Sequence, residues 1–202
     1  VGLALVSYDT HRDYFSDTKE SFSYSSLSSL AVKPSLISSF NCVESEYFLD
    51  SNALKNVDPL PFLLNSVAIV SGLKKYSNQL FMIISELFSN ALEHGVLGLN
   101  SELKNTPEGF SKYFSEKQML LKTISSGFVS IKIRINYSDF GGVATVIVED
   151  SGNGYNPDLI AIDANEEGVP YNRGLYLVRY FSEEVTVSPK GNKTTILFRW
   201  SE

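Results

Sequence analysis

The chain has one cysteine, Cys42, among 202 residues, so no intramolecular disulfide framework can brace it. Such sparing use fits a reducing compartment. Long apolar runs are missing as well. The opening VGLALV is short and has no basic flank, unlike a signal sequence, and no stretch approaches the roughly 20 apolar residues of a spanning helix. Blocks of lysine or arginine are absent, and a net charge of −6 leaves no electrostatic footprint for nucleic acid. The expectation is a soluble, cytoplasmic protein that engages neither membrane nor nucleic acid. Methionine is missing from the first position, which is Val1, and this reads as a piece of something longer.

What is present is globular. The chain is 43% hydrophobic and 12% aromatic, enough for one large domain or one domain with an appendage. Serines crowd SFSYSSLSSLAVKPSLISSF, and periodicity fades over residues 9–45. Residues 1–45 therefore read as a linker or accessory segment, with strand-like alternation at 1–8 and 21–27. SEYFLDSNAL, from Ser45 to Leu54, predicts a short strand and turn. Asp58 then reads as a helix N-cap, with Pro59 at the first helical position.

The clearest helix is expected over residues 77–97. Leu80, Ile83, Ile84, Leu87, Phe88 and Ala91 fall on one side at 3.6-residue spacing, and Glu86, Ser89, Asn90 and Glu93 form the opposite stripe. A second helix is expected over 107–123. FVSIKIRINY alternates as a half-buried strand, and VATVIVED, EVTVSP and TTILFRW read as further strands. A short helix is expected over about 174–182. Without strict βαβ alternation the class is α+β, with a largely antiparallel sheet.

Three stretches could carry chemistry. Glu86 and Asn90 in SELFSNALEHG lie one helical turn apart on one face, although a solvated helix face explains them equally well. In VEDSGNGYNP, Asp150 closes a strand and Gly152 and Gly154 let backbone approach a ligand, although a tight turn would use the same residues. In YNRGLYLVRYF, Gly174 stands at the expected helix start, where free N–H groups can receive phosphate oxygens beside Arg173, although a simple hinge is the plainer reading.

Their order is more specific than any one of them. An ExxxN helix, a strand ending in DxGxG, then RGL, then the pair Thr194–Thr195 on a last strand resembles the GHKL ATP-binding superfamily over residues 46–202. Within it the chain is most similar to the bacterial anti-sigma-factor serine kinases, matching their E…NAxxH helix with Glu86, Asn90, Ala91 and His94. The wording ALEHGVLGLNSELKNTPEGF, with DPLPFLL upstream, resembles kinase domains at the C-terminus of response regulators that also carry a SpoIIE-like serine phosphatase domain.

The resemblance implies a two-layer α/β sandwich with a mostly antiparallel mixed sheet. It implies ATP and Mg²⁺ as cofactors and transfer of phosphate to a STAS-domain antagonist, with a sigma factor as the other partner. Upstream regulatory domains in the same full-length chain and a homodimer are further implied. Asn90 would bind Mg²⁺, Glu86 would act as base, and Asp150 would accept from the adenine amino group with support from Thr194 or Thr195. His94, Gly152, Gly154, Arg173, Gly174 and Leu175 would complete the nucleotide site, and residues 155–173 would form a lid. The chain departs from the family at Asn172 and Tyr176, where glycines are common, and at Lys193, which precedes Thr194. Residues 95–126 read as an insertion. A nucleotide-binding module that sequesters a sigma factor or antagonist without catalysis is the alternative.

Overall fold

The computed structural model describes residues 41–154 and 173–201. The strands expected at 1–8 and 21–27, and all but residue 173 of the lid expected over 155–173, lie outside them.

Strand β1, Asn41–Asp50, pairs along its whole length with β2, Phe128–Ser138, from Asn41↔Tyr137 to Asp50↔Phe128. Residues 41–45 therefore belong to the sheet, not to the N-terminal segment to which composition assigned them. The signal was muted because polar Ser45 turns inward with Val43, Tyr47 and Leu49, while Cys42 and Phe48 face outward with Glu44 and Glu46. The turn expected after it is a short helix, α1, Ser51–Asn56, capped by Asp50, whose carboxylate accepts from Ala53 N at 2.8 Å.

Helix α2, Leu60–Ala68, starts one residue later than expected: Pro59 takes the cap position, and Asp58 still accepts from Leu60 N at 3.1 Å. A 3₁₀ segment, Ser71–Tyr76, leads into α3, Ser77–Asn90. The expected single helix to residue 97 ends differently. Residues Ala91–Val96 form a π-helical turn, in which Leu97 N donates to Leu92 O at 2.9 Å and Leu99 N to Glu93 O at 2.8 Å. Such a turn inserts one residue and rotates the side chains beyond it about the helix axis. After a second 3₁₀ segment, Ser101–Asn105, α4 spans Pro107–Thr123, with the Thr106 hydroxyl accepting from Gly109 N at 3.1 Å.

Strand β3, Gly141–Asp150, joins β2 through a tight hairpin. Helix α5 is Arg173–Phe181, and β4, Glu184–Val187, and β5, Lys193–Ser201, close the chain. The sheet has five strands in the order β1-β2-β3-β5-β4. Every described pairing is antiparallel, where a mostly antiparallel mixed sheet was expected.

The period-two pattern explains the core. Val129, Ile131, Ile133 and Ile135 are buried with Ala144, Val146, Val148, Ile196, Phe198 and Trp200, and they pack with Leu80, Ile83, Ile84 and Leu87 of α3. The opposite face of the sheet carries Glu44 paired with Lys132 and Arg134, and Glu149 paired with Lys193. The described part is thus an α+β arrangement of helices on an open antiparallel sheet. No described helix is long and apolar enough to cross a membrane.

Candidate functional site

Asp150 ends β3 on the core-facing side and is 8% exposed. Its main chain is tied to the segment before β5: Asp150 N donates to Asn192 O at 2.9 Å, and Asn192 Nδ2 donates to Asp150 O at 2.8 Å. The carboxylate accepts from Gly152 N at 2.7 Å, an Asx turn that sets the loop. Burial pushes the Asp150 pKa up, and Glu149 adds to this, while Gly152 N–H and the charge of Lys190 pull the other way without offsetting it.

The π-turn arrives against this carboxylate. A Cβ on Gly95 would overlap Asp150, and one on Gly152 would overlap the Gly95 carbonyl oxygen. Only glycine permits the helix end and the loop to approach so closely.

Glu86 lies on α3 at the contact with α5. A Cβ on Gly174 would overlap the Glu86 carboxylate, so the first described turn of α5 rests on that acid. Burial raises the Glu86 pKa. Asn90, Lys104 and His94 draw it down, and Glu93 adds a smaller upward push. Asn90 Nδ2 is buried without a hydrogen-bond partner. The amide is near enough for Glu86 to feel it, yet it is not aligned to be satisfied by it.

Helix α3 and its π-turn thus touch both glycine-bearing motifs, Gly95 meeting Asp150 and Glu86 meeting Gly174. The other expected residues divide. Thr194 pairs with Val148 and shares the buried face of Asp150, whereas Thr195 pairs with Ile147 on the opposite face, so it cannot support that carboxylate from its side chain. There it lies across from Thr186, whose hydroxyl donates to Thr195 O at 3.4 Å. His94 is exposed, and its Nδ1 is 2.8 Å from Leu99 O, an arrangement that closes the π-turn. Gly154 has φ +76° and packs on the Lys190 carbonyl. Gly174 is inside the described helix that Arg173 opens, not ahead of it, and Leu175 is half-buried. Tyr176 points outward, 58% exposed, and stacks on Tyr180.

Glu93 departs most from the sequence reading. It was grouped with the polar stripe, yet it is 8% exposed and fully paired. Lys117 Nζ lies 2.6 Å from Oε1 and Lys104 Nζ 3.1 Å from Oε2, and the Tyr113 hydroxyl donates to Oε2. Side chains from residues 101–123 cover the stripe at Glu93, which the periodicity of one helix could not foresee. Asn192 was also missed. Counting back by twos from Trp200, Phe198, Ile196 and Thr194 places it on the face of Asp150.

No protein-family model and no curated protein sequence matches the chain.

The residues present fit an adenine nucleotide with magnesium at two points. Asp150 is a buried acceptor on which the backbones of Gly95 and Gly152 close, and Asn90 offers a half-buried amide with one buried, unsatisfied atom; its oxygen and nitrogen ends can exchange by rotation. Among the described residues no three His, Cys, Asp or Glu side chains cluster as a metal site, so an ion here would rest on one amide and on phosphate oxygens.

Proposed function

We propose that the protein is an ATP–Mg²⁺-dependent protein serine/threonine kinase of the anti-sigma-factor type, acting on a STAS-domain antagonist in partner switching. One observation carries the reading: a single helical segment bears Glu86 and Asn90, and it contacts both the Asp150 loop and Gly174. Motifs far apart in sequence therefore share one locality, as a common ligand requires.

In this reading Asp150 accepts from the adenine amino group. Guanine would oppose a carbonyl to that acceptor and leave it unpaired, a cost of about 1–3 kcal/mol. The amide oxygen of Asn90 would hold the ion, which would supply charge neutralisation on the phosphoryl group. The antagonist hydroxyl oxygen bonds to the γ-phosphorus, the bond from phosphorus to the bridging oxygen breaks, and ADP leaves. The hydroxyl proton passes to Glu86, whose raised pKa suits a partly desolvated base.

A non-catalytic module that binds nucleotide and sequesters a sigma factor or antagonist has one observation in its favour. The Glu86 carboxylate is covered by Gly174 rather than turned to an open surface. Incubation with γ-labelled ATP and the STAS protein encoded nearby separates the two. Transfer that falls by about 10²–10⁴ in Glu86→Gln supports the kinase. Transfer unchanged by that substitution removes Glu86 from its role, and ATP binding with no transfer to any STAS protein favours the module.

A further inference from the structure

Among the described residues the buried carboxylates are Asp150 and Glu93. The first belongs to the site already described. The second touches none of its groups and reaches Glu86 only as a nearby charge. Its carboxylate takes Lys117 at 2.6 Å, Lys104 at 3.1 Å and the Tyr113 hydroxyl, and Lys104 Nζ also sits 4.3 Å from the centre of the Tyr113 ring. All of these partners come from residues 101–123, the part of the chain that read as an insertion.

A buried ion cluster is weak as a source of net stability, because desolvation opposes the attraction. Its stronger effect is on geometry, since each charge must stay where its partners are. Here the geometry matters two residues further on. Glu93 lies within the π-turn, its carbonyl accepts from Leu99 N at 2.8 Å, and Gly95 is pressed onto the Asp150 carboxylate. With one residue between them, the place of Glu93 dictates that of Gly95.

We propose that Glu93, gripped by Tyr113, Lys104 and Lys117, is a positioning residue that holds the π-turn so that Gly95 closes on Asp150 and fixes its carboxylate for reading a ligand edge. The insertion is then a brace for the site. Only the identity of the ligand edge as adenine rests on the proposed function.

The test uses the whole chain and two substitutions, Glu93→Gln and Tyr113→Phe. The Gly152 amide donates to Asp150 and reports on the carboxylate directly. Its hydrogen exchange by NMR should quicken about tenfold in both variants, while the amides of Ile131 and Val146 in the core sheet keep their rates. An unchanged Gly152 rate overturns the proposal, and so does an equal rise at the core amides, which signals general destabilisation. Nucleotide affinities give the second readout. The ratio of ATP to GTP affinity should fall about tenfold, because loosening affects the base-reading acceptor and not the phosphates. Altered Gly152 exchange in a protein that binds neither nucleotide supports the positioning role and overturns the nucleotide reading alone. Altered exchange with an unaltered affinity ratio places the fault in the assignment of Asp150 to adenine.

Discussion

The Cα of Gly174 rests on the Glu86 carboxylate, so one backbone atom of α5 covers the acid of α3. Gly95 stands in the same relation to Asp150 at the other end of the helical segment. The two contacts differ in what can give way. Glu86 is a long side chain met at its tip, whereas Asp150 is short, 8% exposed and already bonded to Gly152.

Gly174→Ala should therefore leave the fold nearly intact. Alanine gains up to about 1 kcal/mol of helix propensity, and Glu86 can rotate away from the added methyl. The cost falls on the acid: once displaced it loses burial, and its pKa should drop back toward the ordinary carboxylate value. Urea unfolding and a carbon-13 titration of Glu86 check both halves.

Gly95→Ala should behave differently. The added methyl meets the oxygens and the Cγ of a side chain that cannot swing out without breaking its bond to Gly152. Overpacking of this kind costs about 1–3 kcal/mol. A urea midpoint equal to that of the parent would contradict the closeness of the contact.

Glu93 ties stability to acid pH. Burial pushes its pKa up, but hydrogen bonds from Lys117, Tyr113 and Lys104 more than offset this and hold it at about 2, against an ordinary 4.5. A carboxylate depressed in the folded state contributes stability that is complete above the unfolded pKa and is lost as pH falls toward the folded one. The span corresponds to roughly 3 kcal/mol, present above about pH 4.5 and gone near pH 2. Unfolding free energies of the parent and Glu93→Gln should therefore converge across that window, and a gap that persists at about pH 2 would contradict the pairing.

Much of this arrangement can be read from residue order, and the failures have physical causes. The inward alternation of Val129, Ile131, Ile133 and Ile135, and the stripe from Leu80 to Phe88, are periodic and local, so both elements stand where expected. Thr106, Pro107 and the α4 span reflect capping chemistry. β1 was half-hidden because Ser45 faces inward and Cys42 and Phe48 face outward, which breaks the alternation. Glu93 was misplaced because the residues that bury it, Lys104, Tyr113 and Lys117, lie on later elements that the pattern of one helix does not register. Asn192 acts through a main-chain partner 42 residues away, which no local pattern encodes.

Stability and chemistry can be separated at Glu86. Its pKa is raised in the folded state by burial, so the folded protein holds that proton more tightly than the unfolded chain. Stability from such a group is fully present below the unfolded pKa and is lost as pH rises through the folded one. At neutral pH the ionised acid therefore opposes folding. Glu86→Gln keeps the shape and removes the charge, and it should raise stability at pH 7, an effect that fades under acid conditions. The same substitution should cut phosphoryl transfer by about 10²–10⁴. A residue kept only for packing would show the gain in stability and leave transfer unchanged. Paired measurements of melting temperature at pH 7 and at about pH 4, with transfer rates on one protein sample, decide the matter. Loss of stability together with intact transfer would make Glu86 a structural acid of the contact between α3 and α5.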